Sequence, residues 1–246
     1  MQKLLGTMRR AITDFNMIEE GDHIAVGVSG GKDSLALAAA LSAYRRFSPQ
    51  KFTLSAVRID MGFADTDQSQ ALKLQNYIEQ ELGLYYSVVK TDIAEILFEA
   101  RKEENPCSLC SKMRRGALNN QAKEIGANKI ALGHHADDVI QTFFLSLFYE
   151  GRLSTFAPTA YMDRSEMGLI RPFIYVWEKD LKGVVNRLEL PVLKNPCPAD
   201  KHTQREYVNG MIKTVSKEIP FIRERVLGAI KHPERNNLWP ELKLDK

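Results

Sequence analysis

The chain has 246 residues, of which 44% are apolar and 26% are charged, and its formal net charge is +3. This composition is ordinary for a globular protein of one α/β domain with an appendage, and the mild positive charge permits a nucleic-acid partner without requiring one. Without a membrane-length apolar run, a signal-peptide pattern or an even set of cysteines, we expect a cytoplasmic protein with no membrane partner.

The predicted elements alternate between helices and strands. An amphipathic helix over 3–18 precedes a short apolar strand at 24–28, and an Ala- and Leu-rich helix continues from Leu35. The later elements are strands at 52–59, 85–89, 129–132 and 169–174 and helices at 71–82, 93–100, 111–125, 139–149, 178–188, 202–217 and 220–231.

Strands and helices that alternate at these lengths indicate an α/β fold with a doubly wound parallel sheet of about five strands. We divide the chain into an N-terminal helix over 1–22, a central domain over 23–195 and a C-terminal helical tail over 196–246. Residues 151–168 show no periodicity, which favours a mobile lid or part of a substrate surface.

The stretch Ser29-Gly-Gly-Lys-Asp-Ser34 forms the turn between the first strand and the following helix. Two glycines permit positive φ angles and close approach to a ligand, and the helix N-terminus directs N–H groups towards the same place. The turn therefore predicts an anion site, although it matches neither the Walker A pattern nor G-x-G-x-x-G. Asp60 ends the second strand, where it either meets a nucleotide or is an ordinary loop carboxylate.

The Ser29–Ser34 turn resembles the S-G-G-x-D-S signature of the PP-loop ATPases, which hold the pyrophosphate of ATP and release AMP. The resemblance implies a Rossmann-like fold of the adenine nucleotide alpha hydrolase type. In such a site Lys32 would neutralise phosphate oxygens, and Asp33 would help to hold magnesium. The implied ATP-binding residues are Ser29, Gly30, Gly31, Lys32, Asp33, Ser34, Asp60 and His134.

The three cysteines are Cys107 and Cys110, which form a C-x-x-C pair, and Cys197. Chemistry alone leaves three interpretations open. The thiols could hold an iron–sulfur cluster, bind zinc with His202 as a fourth ligand, or include a thiol–disulfide pair.

Three blocks together resemble the TtcA group of PP-loop proteins, which make 2-thiocytidine in the anticodon loop of tRNA. They are the Ser29–Ser34 turn, P-C-S-L-C-S-K-M-R-R-G-A-L from Pro106, and G-H-H-A-D-D-V-I-Q-T-F-F-L from Gly133. The resemblance covers roughly residues 5–215. It implies a 4Fe–4S cluster on Cys107, Cys110 and Cys197. It also implies that ATP adenylates a base carbonyl, after which sulfur displaces AMP.

The late cysteine motif departs from the group, because Pro196-Cys197-Pro-Ala-Asp200 stands where the family reads P-C-x-x-C. Cys197 is therefore the one remaining cysteine that could be the third ligand.

Four further residues are candidates for catalysis or binding. Asp137 or Asp138 could hold magnesium or deprotonate the activated base, or the two acids could only cap a helix. His134 could contact phosphate or the adenylate. Arg114 could stabilise the adenylated intermediate or meet an RNA phosphate.

The favoured function is an ATP- and cluster-dependent tRNA sulfurtransferase whose sulfur donor is a cysteine desulfurase or sulfide, with a homodimer left open. One alternative is a ligase that uses a nitrogen nucleophile, as lysidine synthetase does, but it leaves the cysteines unexplained. Another is a nucleotide-binding iron–sulfur sensor, which would bind ATP without forming AMP. TtuA-type thiouridine synthetases carry terminal zinc fingers, which three cysteines cannot build.

Overall fold

The computed structural model describes residues 1–63, 67–103, 106–198, 204–236 and 238. Its strands are β1 (His23–Gly27), β2 (Thr53–Asp60), β3 (Tyr85–Lys90), β4 (Lys129–Ala131), β5 (Thr159–Met162) and β6 (Met167–Ile170). Its helices are α1 (Gln2–Asp14), α2 (Lys32–Arg45), α3 (Gln68–Asn76), α4 (Ile93–Glu95), α5 (Pro106–Glu124), α6 (Ala136–Glu150), α7 (Glu178–Arg187), α8 (Gln204–Glu218) and α9 (Ile222–Lys231). π-Helical turns at Tyr77–Glu81 and Ile96–Ala100 extend α3 and α4.

The six strands form one sheet in the order β3-β2-β1-β4-β6-β5. Every neighbouring pair is parallel except β5 and β6, which are antiparallel. The predicted parallel α/β fold is confirmed. Because strand order reverses beside β1, ligands are expected at the carboxyl ends of β1 and its neighbours.

The prediction of a lid or substrate surface without regular structure over 151–168 is wrong in part, because Thr159–Met162 forms β5, an additional strand, and β6 already begins at Met167. Its backbone pairs with β6 at the sheet edge, and residues such as Tyr161 there stay exposed. An edge strand with one partner does not need a strict apolar alternation, so periodicity does not reveal it.

Several predicted boundaries shift. The helix with the C-x-x-C pair begins at Pro106, not at Ser111, which fits the preference for proline in the first helical turn. The next helix begins at Ala136, not at Val139, so Asp137 and Asp138 lie in its first turn.

Two further boundaries move inward. α1 ends at Asp14 and not at 18, because Asn16 adopts a positive φ of 48°. β6 ends at Ile170, because proline at 172 has no N–H with which to continue the ladder. The zinc candidate His202, with the start of the helix predicted at 202–217, lies outside the described residues.

Contacts divide the chain into two compact units. Unit 1 comprises Met1–Ala136 and Phe156–Thr203 and contains the whole sheet. Unit 2 comprises Asp137–Thr155 and Gln204–Lys246, where the rest of α6 joins α8 and α9. The division at 22 and 195 stays a prediction. No helix in the described part of the chain is long and apolar enough to cross a membrane.

Within unit 1, the C-terminal half of α5 packs over the sheet. Leu118 and Ala122 of this helix join Val57 of β2 and Ile130 of β4 in one buried apolar cluster. This packing fixes α5 across β2, so the first turn of the helix lies at the strand's carboxyl end.

Candidate active site

The Ser29–Ser34 loop is closed by its own hydrogen bonds. The Ser34 hydroxyl donates to the carbonyl of Gly31 (2.9 Å) and accepts from the backbone N–H of Ser29 (3.1 Å). Gly30 has a φ of +85°, which a side chain would strain. Because α2 begins after Gly31, which has no side chain to cap it, its first N–H groups remain suited to an anion.

Lys32 stands at the start of α2 between two carboxylates. Its Nζ lies 2.9 Å from Asp33 Oδ2 and 3.1 Å from Glu178 Oε1. Burial by itself lowers the pKa of Lys32, but the two carboxylates outweigh burial and raise that pKa above its usual value. Lys32 therefore keeps a positive charge within the loop.

Asp33 has one oxygen that its surroundings leave unsatisfied. Oδ2 pairs with Lys32, whereas Oδ1 is buried and has no hydrogen-bond partner within the described ranges. His135 Nε2 lies 3.9 Å from that oxygen, beyond hydrogen-bond distance. A buried carboxylate oxygen of this kind suits magnesium, which prefers oxygen ligands.

The loop after β4 packs directly against the start of α2. A Cβ atom on Gly133 would lie 3.0 Å from the carbonyl of Asp33, so the two backbones approach as closely as glycine allows. His134 follows, and its Nδ1 accepts a hydrogen bond from Arg171 Nε (3.3 Å). Burial and the nearby charge of Arg115 lower the pKa of Arg171 to about 10.

A cleft of about 630 Å³ opens beside the Ser29–Ser34 loop within unit 1. This volume lies in the range of small-molecule and cofactor sites. Its walls come from the loop, the end of β2, the start of α3, the first half of α5 and a late segment. The residues that line the cleft include Ser29, Arg58, Ile59, Asp60, Met61 and Arg114.

The late segment crosses over the Ser29–Ser34 loop before it reaches Cys197. The backbone N–H of Leu193 donates to the carbonyl of Gly30 (2.9 Å), and Leu193 to Pro196 line the cleft. A Cβ on Gly30 would lie 2.7 Å from Leu193 Cδ1. The segment thus brings a cysteine from far along the chain towards the loop.

Cys107 and Cys110 lie three residues apart in the first turns of α5 and so share a face of the helix. The Cys110 thiol lies 3.7 Å from the sulfur of Met61, a residue of the cleft wall. Burial raises the pKa of Cys110, Arg114 opposes the rise, and Cys197 and Cys107 add to it. Cys110 therefore lies within electrostatic reach of both other thiols.

The donor chemistry suits a cluster, because all three cysteines are free thiols and iron–sulfur clusters are held by thiolates. Within the described ranges, however, no three His, Cys, Asp or Glu side chains already converge as a metal site requires. The cysteine ligand set stays a prediction.

Known proteins resemble the chain over most of its length. A family model described as a PP-loop domain matches residues 4–214. The tRNA-cytidine(32) 2-sulfurtransferase of Ralstonia pickettii is 37% identical over 235 residues, which are 94% of this chain and 72% of the relative. That of Syntrophotalea carbinolica is 37% identical over 243 residues, which are 97% and 90% of the two chains. The chain belongs to the TtcA family of PP-loop ATPases.

A solved structure extends the comparison. The U34-tRNA thiolase NcsA from Methanococcus maripaludis, solved with its 4Fe–4S cluster, matches with a TM-score of 0.74 and 25% identity, covering 97% of this chain and 80% of that one. The curated relatives are transferases by name, so the prediction of a transferase in the TtcA family is confirmed.

The paired aspartates of this TtcA-family protein meet arginines inside unit 2. Asp137, a buried residue, pairs with Arg223 of α9, and Asp138 Oδ1 lies 3.4 Å from Arg205 of α8. Both carboxylates are thus neutralised from the C-terminal helices. Their roles in magnesium binding or proton transfer stay predictions.

Four residues of unit 1 were not singled out from the sequence. Glu178 pairs with Lys32, Leu193 covers the loop, Arg171 binds His134, and Arg58 lines the cleft. Each depends on a contact between distant segments. Only Arg58 carries a local signal, since a charged residue interrupts an otherwise apolar strand next to Asp60.

Proposed function

We propose that the protein is an ATP-dependent tRNA sulfurtransferase that replaces a base carbonyl oxygen with sulfur. The base would be cytidine of the anticodon loop, since the relatives are named for cytidine 32. One observation carries the proposal. The same cleft is lined by the Ser29–Ser34 loop, by Met61 in contact with the Cys110 thiol, and by the segment that leads to Cys197.

The first step would be adenylation. The Ser29–Ser34 loop and the N-terminus of α2 would hold the β- and γ-phosphates of ATP, with Lys32 neutralising their charge. Asp33 Oδ1 would bind magnesium at the phosphates. The base oxygen attacks the α-phosphorus, the bond to pyrophosphate breaks, and pyrophosphate leaves.

The second step would exchange sulfur for oxygen. A 4Fe–4S cluster on Cys107, Cys110 and Cys197 would supply an iron position for sulfur at the sulfide oxidation level. Sulfide forms the new carbon–sulfur bond, the carbon–oxygen bond breaks, and AMP leaves with the oxygen, so no net oxidation occurs. Arg114 would stabilise the negative charge of the adenylated intermediate. The donor would be sulfide itself, or a cysteine desulfurase whose persulfide sulfur a thiol reductant brings to the sulfide level with two electrons.

The test is anaerobic incubation of the iron-loaded protein with unmodified tRNA, radiolabelled ATP and sulfide. We expect AMP, pyrophosphate and a thiolated cytidine detected by nucleoside mass spectrometry. With lysine in place of sulfide, AMP and a nitrogen-modified base would instead indicate a lysidine synthetase-like ligase. ATP binding without AMP would indicate a sensor, and either result would refute the proposal.

A further inference from the structure

Arg58 is a buried cation in the wall of the cleft. It lies in β2, is only 9% exposed, and lines the cleft with the Ser29–Ser34 loop. Among the residues that the structure describes, none of the ion pairs includes Arg58. A buried charge is costly without an opposite charge, so a ligand anion is expected to complete its environment.

Strand register sets Arg58 beside the loop. β1 and β2 are parallel with Gly27 opposite Val57, and the N–H of Val28 donates to the carbonyl of Val57 (2.8 Å). Continued by one residue, this register sets Val28, which immediately precedes the loop, opposite Arg58. Ser29 and Arg58 both line the same cleft, so Arg58 borders the cavity into which the loop faces.

The two carboxylates that line the cleft, Asp60 and Asp67, accept backbone hydrogen bonds, and neither forms an ion pair with Arg58 among the described residues. Asp60 Oδ1 accepts from the N–H of Gly62 (3.2 Å). Asp67 Oδ1 caps α3 and accepts from the N–H of Ser69 (2.9 Å). Tyr86 is a polar neighbour of Arg58. Burial raises the pKa of the Tyr86 hydroxyl, and the positive charge of Arg58 offsets part of that rise. A phenol does not neutralise a guanidinium.

We propose that Arg58 binds the α-phosphate of ATP, and this rests on the proposed function in taking ATP as the occupant of the cleft. If the β- and γ-phosphates occupy the Ser29–Ser34 loop, the adenosine must fill the remaining cleft along Ile59 and Met61. The α-phosphate joins these two parts, and Arg58 lines the same cleft directly before Ile59 in β2. The planar guanidinium can bind two phosphate oxygens at once.

This assignment gives Arg58 a role that differs from that of Lys32. Lys32 would hold the pyrophosphate that leaves, whereas Arg58 would hold the phosphate that stays on the base and later departs in AMP. Arg58 would then keep the adenylate in the cleft between the two steps.

The test is calorimetric binding of ATP, AMP, pyrophosphate and adenosine to the full chain and to Arg58→Gln. Loss of a charge-assisted contact predicts about 10- to 100-fold weaker binding of ATP and AMP. Pyrophosphate and adenosine should change by less than about twofold, and Arg58→Lys should fall between wild type and Arg58→Gln. Arg46→Gln, at an exposed arginine beyond α2, is the matched control.

A second variant separates binding from packing. Tyr86→Phe removes the hydroxyl beside Arg58 but keeps the charge, so AMP affinity should stay within about twofold of wild type. If Tyr86→Phe weakens AMP as much as Arg58→Gln does, Arg58 is structural and the proposal is wrong. Because Arg58→Lys retains the charge, it serves as the test if Arg58→Gln fails to fold.

Three outcomes would overturn the assignment. If Arg58→Gln binds AMP as tightly as wild type, the assignment is refuted. The assignment is also refuted if Arg58→Gln loses as much affinity for pyrophosphate as for AMP. Both results leave the proposed function intact. Weakened binding of tRNA alone would make Arg58 an RNA contact. A wild-type protein that binds no ATP would refute both this inference and the proposed function.

Discussion

The Ser29–Ser34 loop and the cysteine site differ in how their geometry is maintained. The loop consists of consecutive residues, and its serine hydroxyls bond to its own backbone. The cysteines come from α5 and from a segment near residue 197, which a backbone hydrogen bond from Leu193 connects to the loop. The hydrogen bonds of the loop are therefore local, whereas the thiols depend on contacts between distant segments.

This difference predicts that the loop and the proposed cysteine site depend on different ligands. A preorganised anion site costs little to occupy, so phosphate binding can be independent of the cysteines. A thiolate site gains order when its metal binds, so the predicted cysteine site should be stabilised by iron. The predictions below test whether the two parts are separable.

The largest effect is expected for Cys110→Ser. Loss of one thiolate should reduce iron content and abolish thiolation, whereas ATP affinity should stay within about twofold of wild type because the loop keeps its own hydrogen bonds. Iron analysis, nucleoside mass spectrometry and calorimetry measure these three quantities. Ser108→Ala, an exposed change on the same helix, is the control. Full thiolation by Cys110→Ser would refute cluster dependence.

Lys32→Ala should produce the converse pattern. Removal of the fixed charge beside the loop should reduce AMP formation by about 10²- to 10³-fold and leave iron content unchanged. Radiolabelled ATP measures the rate, and Lys51→Ala provides an exposed lysine control. A parallel loss of iron would show that the two parts of the cleft are not independent.

Gly30→Ala tests the junction between the two parts. The new Cβ would meet Leu193 at 2.7 Å, and the φ of +85° would add strain of about 1 kcal/mol or more. We expect roughly tenfold weaker ATP binding and less stable iron loading, because both the loop and the late segment must shift. The double variant Gly30→Ala/Leu193→Ala should recover part of this loss. No recovery would mean that backbone strain alone is responsible.

The loop was predictable from sequence because its determinants are contiguous. Two glycines, a lysine and a helix start within a few residues specify the turn, and the position of Asp60 follows from strand order in parallel sheets. The α/β fold was predictable for a similar reason, since buried parallel strands such as β1 are short apolar runs.

The covering segment was not predictable, because the contact of Leu193 with Gly30 joins residues far apart along the chain. Glu178 gave no signal, since an acid in the first turn of a helix is common for capping reasons alone. The role of Asp137 in magnesium binding, proton transfer or capping stays a prediction, and its pairing with Arg223 could not be predicted because it depends on the tertiary packing of unit 2. Side-chain partners of this kind are decided by packing and not by local pattern.

Arg223→Ala and Arg205→Ala test how much the ion pairs of Asp137 and Asp138 stabilise the protein. Asp137 is 6% exposed, so removal of its partner Arg223 should destabilise the protein by about 1–3 kcal/mol. The more exposed pair of Asp138 and Arg205 should contribute at most about 1 kcal/mol. Urea denaturation measures both. The double variant Arg223→Ala/Asp137→Asn is compared with Arg223→Ala. If it regains stability but not thiolation, Asp137 also acts in the reaction. If it regains both, the role of Asp137 is structural.

The smallest effect concerns Glu178, which neutralises Lys32 from α7. Burial raises the pKa of Glu178, but Lys32 and Lys182 outweigh it, so the pKa lies below its usual value. A carboxylate with a lowered pKa in the folded state stabilises the protein above the unfolded pKa and loses that contribution as the pH falls through the folded pKa.

Wild type should exceed Glu178→Gln in stability by at most about 1 kcal/mol near neutral pH. The difference should vanish as the pH falls through the lowered pKa of Glu178, as measured by thermal unfolding across pH with Glu206→Gln as an exposed control. A difference that persists in acid would mean that Glu178 acts through packing and not through its charge on Lys32.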